Sequence, residues 1–380
     1  MLDSSHTFAN QPHPHQKRPS LLFFSGGSAI NGLAKTLTAR RCDACYLISG
    51  FDSGGSSAQL RRSLGMPAVG DLRSRIVALI DQSVGVQWEA IAKLLAYRFS
   101  DTSAAELEHI ANGLHAVNEG IAPDHQAWLS RYIRRFIAVV PDDFDYRKAS
   151  LGNIVLAGAY ACLGRRLDHV AYLFSQLLNL PDTIRVISLD NAHLVAYLDN
   201  DIPILGQHRF TGKAKTPLKQ RIDRVCLSAT IEQEAPISVM PTVENLVLIK
   251  EADLICYPPG SFFSSVIANL LPHGVSEAIS TNRCPKVYVP NLGADPEQWQ
   301  LGICDQIEAL MRHQGLDPNR DTASRVLDTL LLDESLTVPQ IEIEKLQAWG
   351  IFVIRAKLIS RSTPHRYNDD WLATALIDLV

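Results

Sequence analysis

The sequence predicts an α/β fold: a Rossmann-like, doubly wound and mainly parallel sheet with an α-helical insertion. Two observations carry that expectation. Short apolar runs stop at Gly/Ser-rich turns and pass into helical spacing, first over residues 21–38 and again over 46–63. A long, almost wholly helical stretch then separates these units from the next strand-like runs. Strand, glycine turn and helix in repetition is the rhythm of a sheet covered on both faces.

Taken in order, Leu21-Leu22-Phe23-Phe24-Ser25 is a buried-strand pattern that ends at Gly26-Gly27, with helical spacing over 33–38. Tyr46-Leu47-Ile48-Ser49 is the second strand, ending at Gly50, and 58–63 is helical. From Asp71 to about Val139, Leu72, Ile76, Leu79 and Ile80 share one helical face, and Trp88, Ile91, Leu94 and Leu95 another. That stretch, about 71–140, is the insertion, closed by Pro141-Asp142-Asp143. Helices over 151–163 and 170–178 precede a return of the sheet pattern at 183–188. Strand-like runs follow at 194–198, 223–228 and 253–257, the last ending in Pro258-Pro259-Gly260-Ser261 before a helix from Phe263. Residues 286–290 and 350–354 are further strands. With no internal repeat, residues 20–380 are expected to form a single domain, behind a polar, disordered leader over 1–19.

Composition narrows the function classes. Hydrophobic residues make up 46% of the chain and charged ones 20%, enough apolar material for a substantial core. A net charge of −4 argues against a chain whose work is wrapping nucleic acid. No run approaches the roughly 18 apolar residues of a membrane span, so no membrane partner is expected. Seven scattered cysteines, an odd number, fit a reducing, cytoplasmic setting rather than a disulfide framework. Cys42 and Cys45 form a C-x-x-C pair without a second pair to complete a zinc site, and are read as an exposed turn entering a strand. His6, His13 and His15 belong to the solvated leader, and a homodimer is the expected assembly.

The chemistry is expected at the turns. Gly26, Gly27, Ser28 and Asn31 stand where a strand meets a helix, so backbone N–H groups and the helix dipole could receive phosphate oxygens. The turn matches neither G-x-G-x-x-G nor the P-loop, and a purely structural turn is an equal reading. At Asp52-Ser53-Gly54-Gly55-Ser56-Ser57, Asp52 is either a Mg²⁺ and catalytic residue or a helix cap. Arg61 and Arg62 meet phosphate or form a solvated face. A third turn has Gly70, with Asp71 as a plausible cap, and places Arg73 and Arg75 where the dipole disfavours cations unless an anion compensates. Gly260 and Ser261 form the fourth turn. Lys213 and Lys215 lie in a loop that closes over an anion or is merely solvated, and His193, His208 and His273 are read as structural or surface residues. No single motif is decisive. Four turns at the carboxyl ends of parallel strands converge on one crevice.

In the order and spacing of Asp52-Ser53-Gly54-Gly55-Ser56-Ser57, Leu60-Arg61-Arg62, Leu64-Gly65-Met66, Gly70-Asp71-Leu72-Arg73, Ser150-Leu151-Gly152-Asn153 and Pro259-Gly260-Ser261, the chain resembles the CofD-like superfamily. That superfamily holds 2-phospho-L-lactate transferase and nucleotide-sugar-binding gluconeogenesis factors, and the chain is also similar to a CofD-related subgroup of unknown function. The resemblance runs over 21–301 and resumes near Gly350. It implies a diphosphate held by the two glycine turns, with Asn153 in the site and Mg²⁺ near a strand-end Asp. In one branch a phospholactate-type group passes from a nucleotide-diphosphate donor to an acceptor hydroxyl. In the other, a nucleotide sugar is bound and the protein acts as a regulator. The Gly-Gly-Ser-Ser and Leu-Gly-Met segments are closer to the second branch. The chain departs from the family at Ser53, where a second Asp is usual, at Pro258-Pro259-Gly260-Ser261 in place of a Gly-Pro-Gly-Ser turn, and over Leu292-Gly293-Ala294-Asp295-Pro296.

Overall fold

The computed structural model describes residues 18–100, 104–147, 149–180, 183–211 and 219–380. The leader histidines and the Lys213/Lys215 loop lie outside the described residues. β1 (Ser20–Ser25) leads into α1 (Asn31–Ala39), and β2 (Asp43–Ile48) into α2 (Gly55–Leu64) and α3 (Gly70–Leu79). Helices α4 (Val86–Ala96), α5 (Ala104–Ala111), α6 (Pro123–Ile137), α7 (Leu151–Cys162) and α8 (Leu167–Leu177) follow before β3 (Thr183–Val186). The insertion between β2 and β3 therefore occupies more of the chain than residues 71–140, beginning at α2 and ending at α8.

β4 (His193–Leu198), β5 (Pro203–Leu205) and β6 (Ile222–Ser228) then form a separate three-stranded antiparallel sheet. The strand-like runs at 194–198 and 223–228 are real but lie outside the main sheet. The chain between β4 and β5 is too short for the crossover that parallel neighbours need, so the strands fold back as a hairpin. Next come α9 (Val243–Glu251), β7 (Leu254–Tyr257), a π-helical turn at Phe262–Ile267, and β8 (Lys286–Tyr288). β9 (Thr329–Asp333), which carries no turn signal to announce it, precedes β10 (Phe352–Ala356) and a last helix, Asp369–Ile377.

The main sheet has seven strands in the order β10-β9-β8-β7-β1-β2-β3, all parallel. Chain direction across the sheet reverses between β1 and β7, the topological switch point where such folds open a crevice. Alternation along β1 explains why both faces are covered. Leu21 and Phe23 enter the core beneath α1 and α3–α8, and Leu22 and Phe24 enter the core on the α9 side. Cys45 lies within β2 and Cys42 just before it, and both are buried, with the Cys42 thiol donating to the Pro19 carbonyl at 3.2 Å. The pair is a packing element of the β2 entry rather than an exposed turn.

Candidate functional site

The carboxyl ends of β1, β2 and β7 open into three adjoining cavities of about 150, 420 and 860 Å³. The smallest is bounded by Gly26, Gly27, Ser28, Gly260 and Ser261. The middle one is bounded by Gly54, Gly55, Ser56, Ser57, Gly70 and Asn153. These two share Gly27, Ser28, Asp52 and Asp71 on their walls, and the middle and largest share Gly54 and Gly55. All four glycine turns thus meet in one crevice. Asn31 is the exception among the expected residues: it begins α1 and borders none of the three cavities.

Close packing explains the glycines of the first turn. A side chain at Gly27 would meet the Asp71 carboxylate at 2.5 Å, and one at Gly26 would overlap the Ser265 hydroxyl. Beneath the turn, the fully buried Arg75 donates to the carbonyls of Gly26, at 3.2 Å, and Ile30, while its guanidinium stacks 4.6 Å from the Tyr46 ring centre. Arg75 holds the turn's shape and does not reach the crevice.

Asp52 is not the cap of α2, because Gly54 holds that position and receives no side-chain cap bond. Its Oδ1 accepts from the Gly54 amide at 2.9 Å, an Asx turn that starts α2, while the carboxylate borders the two smaller cavities. Asp71 is not a cap. Val69 occupies the N-cap position of α3, and Asp71 sits in its first turn with its carboxylate against Gly26 and Gly27. Tertiary structure therefore places a second carboxylate on the walls of the same two cavities as Asp52, although Ser53 stands next to Asp52 in sequence.

Two expected phosphate contacts are engaged elsewhere. Arg61 is buried, and its guanidinium donates to Asn191 Oδ1 and to the carbonyls of Phe51, Asp52 and Ala192 at 2.5–3.1 Å. Burial pulls its pKa down to about 10, against the pull of Asp52. It ties the Asp52 turn to the small sheet. The Gly260 amide donates to Asn291 Oδ1 at 2.7 Å, and Asn291 Nδ2 returns a bond to the Gly260 carbonyl at 2.7 Å. Asp295 accepts from the Phe262 amide, and Glu297 from the Ser264 amide and hydroxyl at 2.8 and 2.5 Å. The segment after β8 thereby clamps the π-helical turn that follows β7. Burial, and then the Asp295 charge, push the Glu297 carboxyl up to about 8.

Residues remaining for an anion are Arg73 and the first amides of α2, from Gly55 to Ser57, which a helix leaves without intrahelical acceptors. Arg73 lines the middle cavity, with its Nε buried and without a partner. Its pKa is lowered, first by burial and then by the charge of Arg98, against the pull of Asp71. Arg98 was not legible as a site residue. It arrives through an antiparallel bridge to Ser150 at the foot of α7, a pairing across fifty residues of chain. Asn153, on the same helix, donates to Ser56 Oγ at 2.9 Å and keeps a buried Oδ1 unpartnered. His193, His208, Asn191 and Thr230, from the small sheet and its loops, line the largest cavity. Burial and then Arg61 lower the His193 pKa to about 4, against Glu232.

Fold and crevice together define a doubly wound α/β protein with a crevice at the switch point. The family model of 2-phospho-L-lactate transferase CofD matches residues 21–360, and the chain belongs to the CofD family. It is 26% identical over 381 residues to the gluconeogenesis factor of Bacillus subtilis, covering 96% of this chain and 99% of that one. It is 27% identical over 290 residues to a putative gluconeogenesis factor of Thermotoga maritima, covering 76% and 73%. The crystal structure of a UPF0052 family member from Bacillus halodurans superposes with a TM-score of 0.70 at 22% identity, covering 96% of this chain and all of that one.

Proposed function

We propose that the protein binds a nucleotide-diphosphate donor in this crevice and transfers the phospho-acyl, phospholactate-type group it carries to an acceptor hydroxyl. The new P–O bond forms as the diphosphate P–O bond breaks, the hydroxyl gives up its proton, and the nucleoside monophosphate leaves. The observation that carries the reading is the middle cavity. There the partly buried Arg73, with an unpartnered Nε, stands beside Arg98 and opposite the open amides of α2. Guanidinium groups and helix-end amides on the walls of one cavity suit phosphate oxygens, which take charge-assisted hydrogen bonds from both.

Asp52 and Asp71 border the same two cavities, and this donor set fits Mg²⁺, which takes few protein ligands and keeps water and phosphate oxygens. Bound there, the ion would neutralise diphosphate charge as the group leaves. The chain's own contribution is orientation: the Gly26–Gly27 turn, propped by Arg75, fixes the phosphate end, and Arg73 stabilises charge on the departing nucleotide. A non-catalytic, nucleotide-sugar-sensing role is favoured by one feature, the engagement of Ser53 by His208 where the family usually has a second Asp.

Calorimetric titration with UDP, GDP and their sugars, with and without Mg²⁺, tests the proposal. Saturable binding is expected, weakened at least tenfold by Arg98→Ala. Binding of none of these compounds sinks both readings. Nucleotide release in the presence of an acceptor alcohol supports transfer; binding with no release under any acceptor supports the sensor.

A further inference from the structure

The largest cavity, about 860 Å³, adjoins the phosphate region through Gly54 and Gly55, and its floor has an unusual character. Among the described residues its one deeply buried cation, Arg61, has donated to four protein acceptors. Its remaining charged residues, Arg62, Arg209 and Glu232, are exposed at the rim. Between them lie Asn191, His193, His208 and Thr230, all able to hydrogen-bond, and among the described residues no Phe, Tyr or Trp lines the chamber with a face on which a base could stack.

His208 is the most closely built of these. The Ser53 hydroxyl lies 2.9 Å from its Nδ1 and accepts from its backbone amide at 3.2 Å. Ser53 is buried, and among the described residues its hydroxyl proton has no other acceptor. Donating that proton to Nδ1 is the arrangement that leaves no buried donor unsatisfied. The ring is then the Nε2–H tautomer, and Nε2 is the atom left for a ligand. Backbone geometry supports the placement. Gly206, at φ +92°, lets the ring lie where any side chain would meet its Cε1 at 3.0 Å and Ile231 Cδ1 at 2.8 Å. His193 adds a buried Nδ1 with no partner on the same floor.

We propose that this chamber receives the non-nucleotide, hydroxyl-bearing part of the ligand, and that His208, oriented by Ser53, is the residue that reads it. The inference rests on the nucleotide-diphosphate reading above. A neutral polyol complements a floor of uncharged donors and acceptors, whereas a second phosphate would call for the cations that the chamber keeps at its rim.

The test compares affinities for UDP and GDP with those for UDP-glucose and GDP-mannose in the wild-type protein, His208→Ala and Ser53→Ala. For whichever nucleotide binds, His208→Ala is expected to weaken the sugar conjugate at least tenfold and the bare diphosphate less than twofold. Ser53→Ala weakens the conjugate less than His208→Ala does. Nitrogen-15 spectra of the wild-type histidine ring are expected to show the Nε2–H tautomer, and Ser53→Ala to mix the two tautomers. Equal losses for diphosphate and conjugate place the nucleoside in this chamber and overturn the inference. So does an unchanged conjugate affinity, or an Nδ1–H ring in the wild type. If the wild-type protein binds none of the four compounds, the nucleotide-diphosphate reading fails and takes this inference with it; the other negative outcomes leave that reading intact.

Discussion

At the scale of single residues, two titrating groups give opposite pH signatures. Glu297 has a folded pKa near 8 against an ordinary value of 4.5, so the native state holds a proton that the unfolded chain releases. Stability is therefore expected to fall as pH rises between those values, with a slope of at most about 1.4 kcal/mol per pH unit. Glu297→Gln should flatten this slope in urea denaturation across pH 5–8 while Ser264 keeps an acceptor. His193 is displaced the other way, to about 4 from 6.5, because burial resists its charging. The unfolded chain takes up that proton first, so stability is lost as pH falls from 6.5 toward 4. His193→Gln should remove that part of the acid limb, read from the same denaturation midpoints.

At the scale of elements, α7 is packed too closely for side chains at its two glycines. A Cβ at Gly158 would fall on the backbone of Tyr132 in α6, and one at Gly152 on the Leu95 carbonyl and the Arg73 stem. Gly158→Ala is expected to cost about 1–3 kcal/mol, since backbone on the facing helix cannot step aside. Gly152→Ala should cost a similar amount and also weaken ligand binding, because it pushes on Arg73. Thermal melts and titrations on the two variants separate these effects. The clamp from the segment after β8 gives another element-scale expectation. Asn291→Ala frees both bonds to Gly260, and should loosen the fourth turn, seen as faster amide exchange over the Phe262–Ile267 turn.

For the whole molecule, no helix among the described residues is long and apolar enough to cross a membrane. The crevice draws its walls from β1, β2 and β7, from the helical insertion and from the small antiparallel sheet, so a ligand there bridges most parts of the fold. Occupancy should stabilise the protein by about 2.7 kcal/mol at a concentration one hundred times Kd. Tm measured against increasing nucleotide-sugar concentration is expected to rise without a plateau in the accessible range. A Tm indifferent to the ligand contradicts binding to the native state.

The residues themselves determined the strand–turn–helix units and the family. Apolar runs such as 21–25 end at glycines, and only a backbone without side chains can pass beneath Ser265 and Asp71. Local pattern also revealed Gly26, Asp52, Gly54 and Gly70 as crevice residues, because turns at strand ends belong to short stretches of chain. It could not tell that β4 and β6 leave the main sheet, since a buried strand reads alike in either sheet. Nor could it tell that Arg61 spends its donors on Asn191 and three backbone carbonyls, that Asp71 shares cavity walls with Asp52, or that Arg98 and His208 line the crevice. Those facts depend on which distant segments meet. Hydrogen-bonding capacity belongs to a residue type, but whether a guanidinium or imidazole is used internally or left for a ligand is decided only when the chain closes around it.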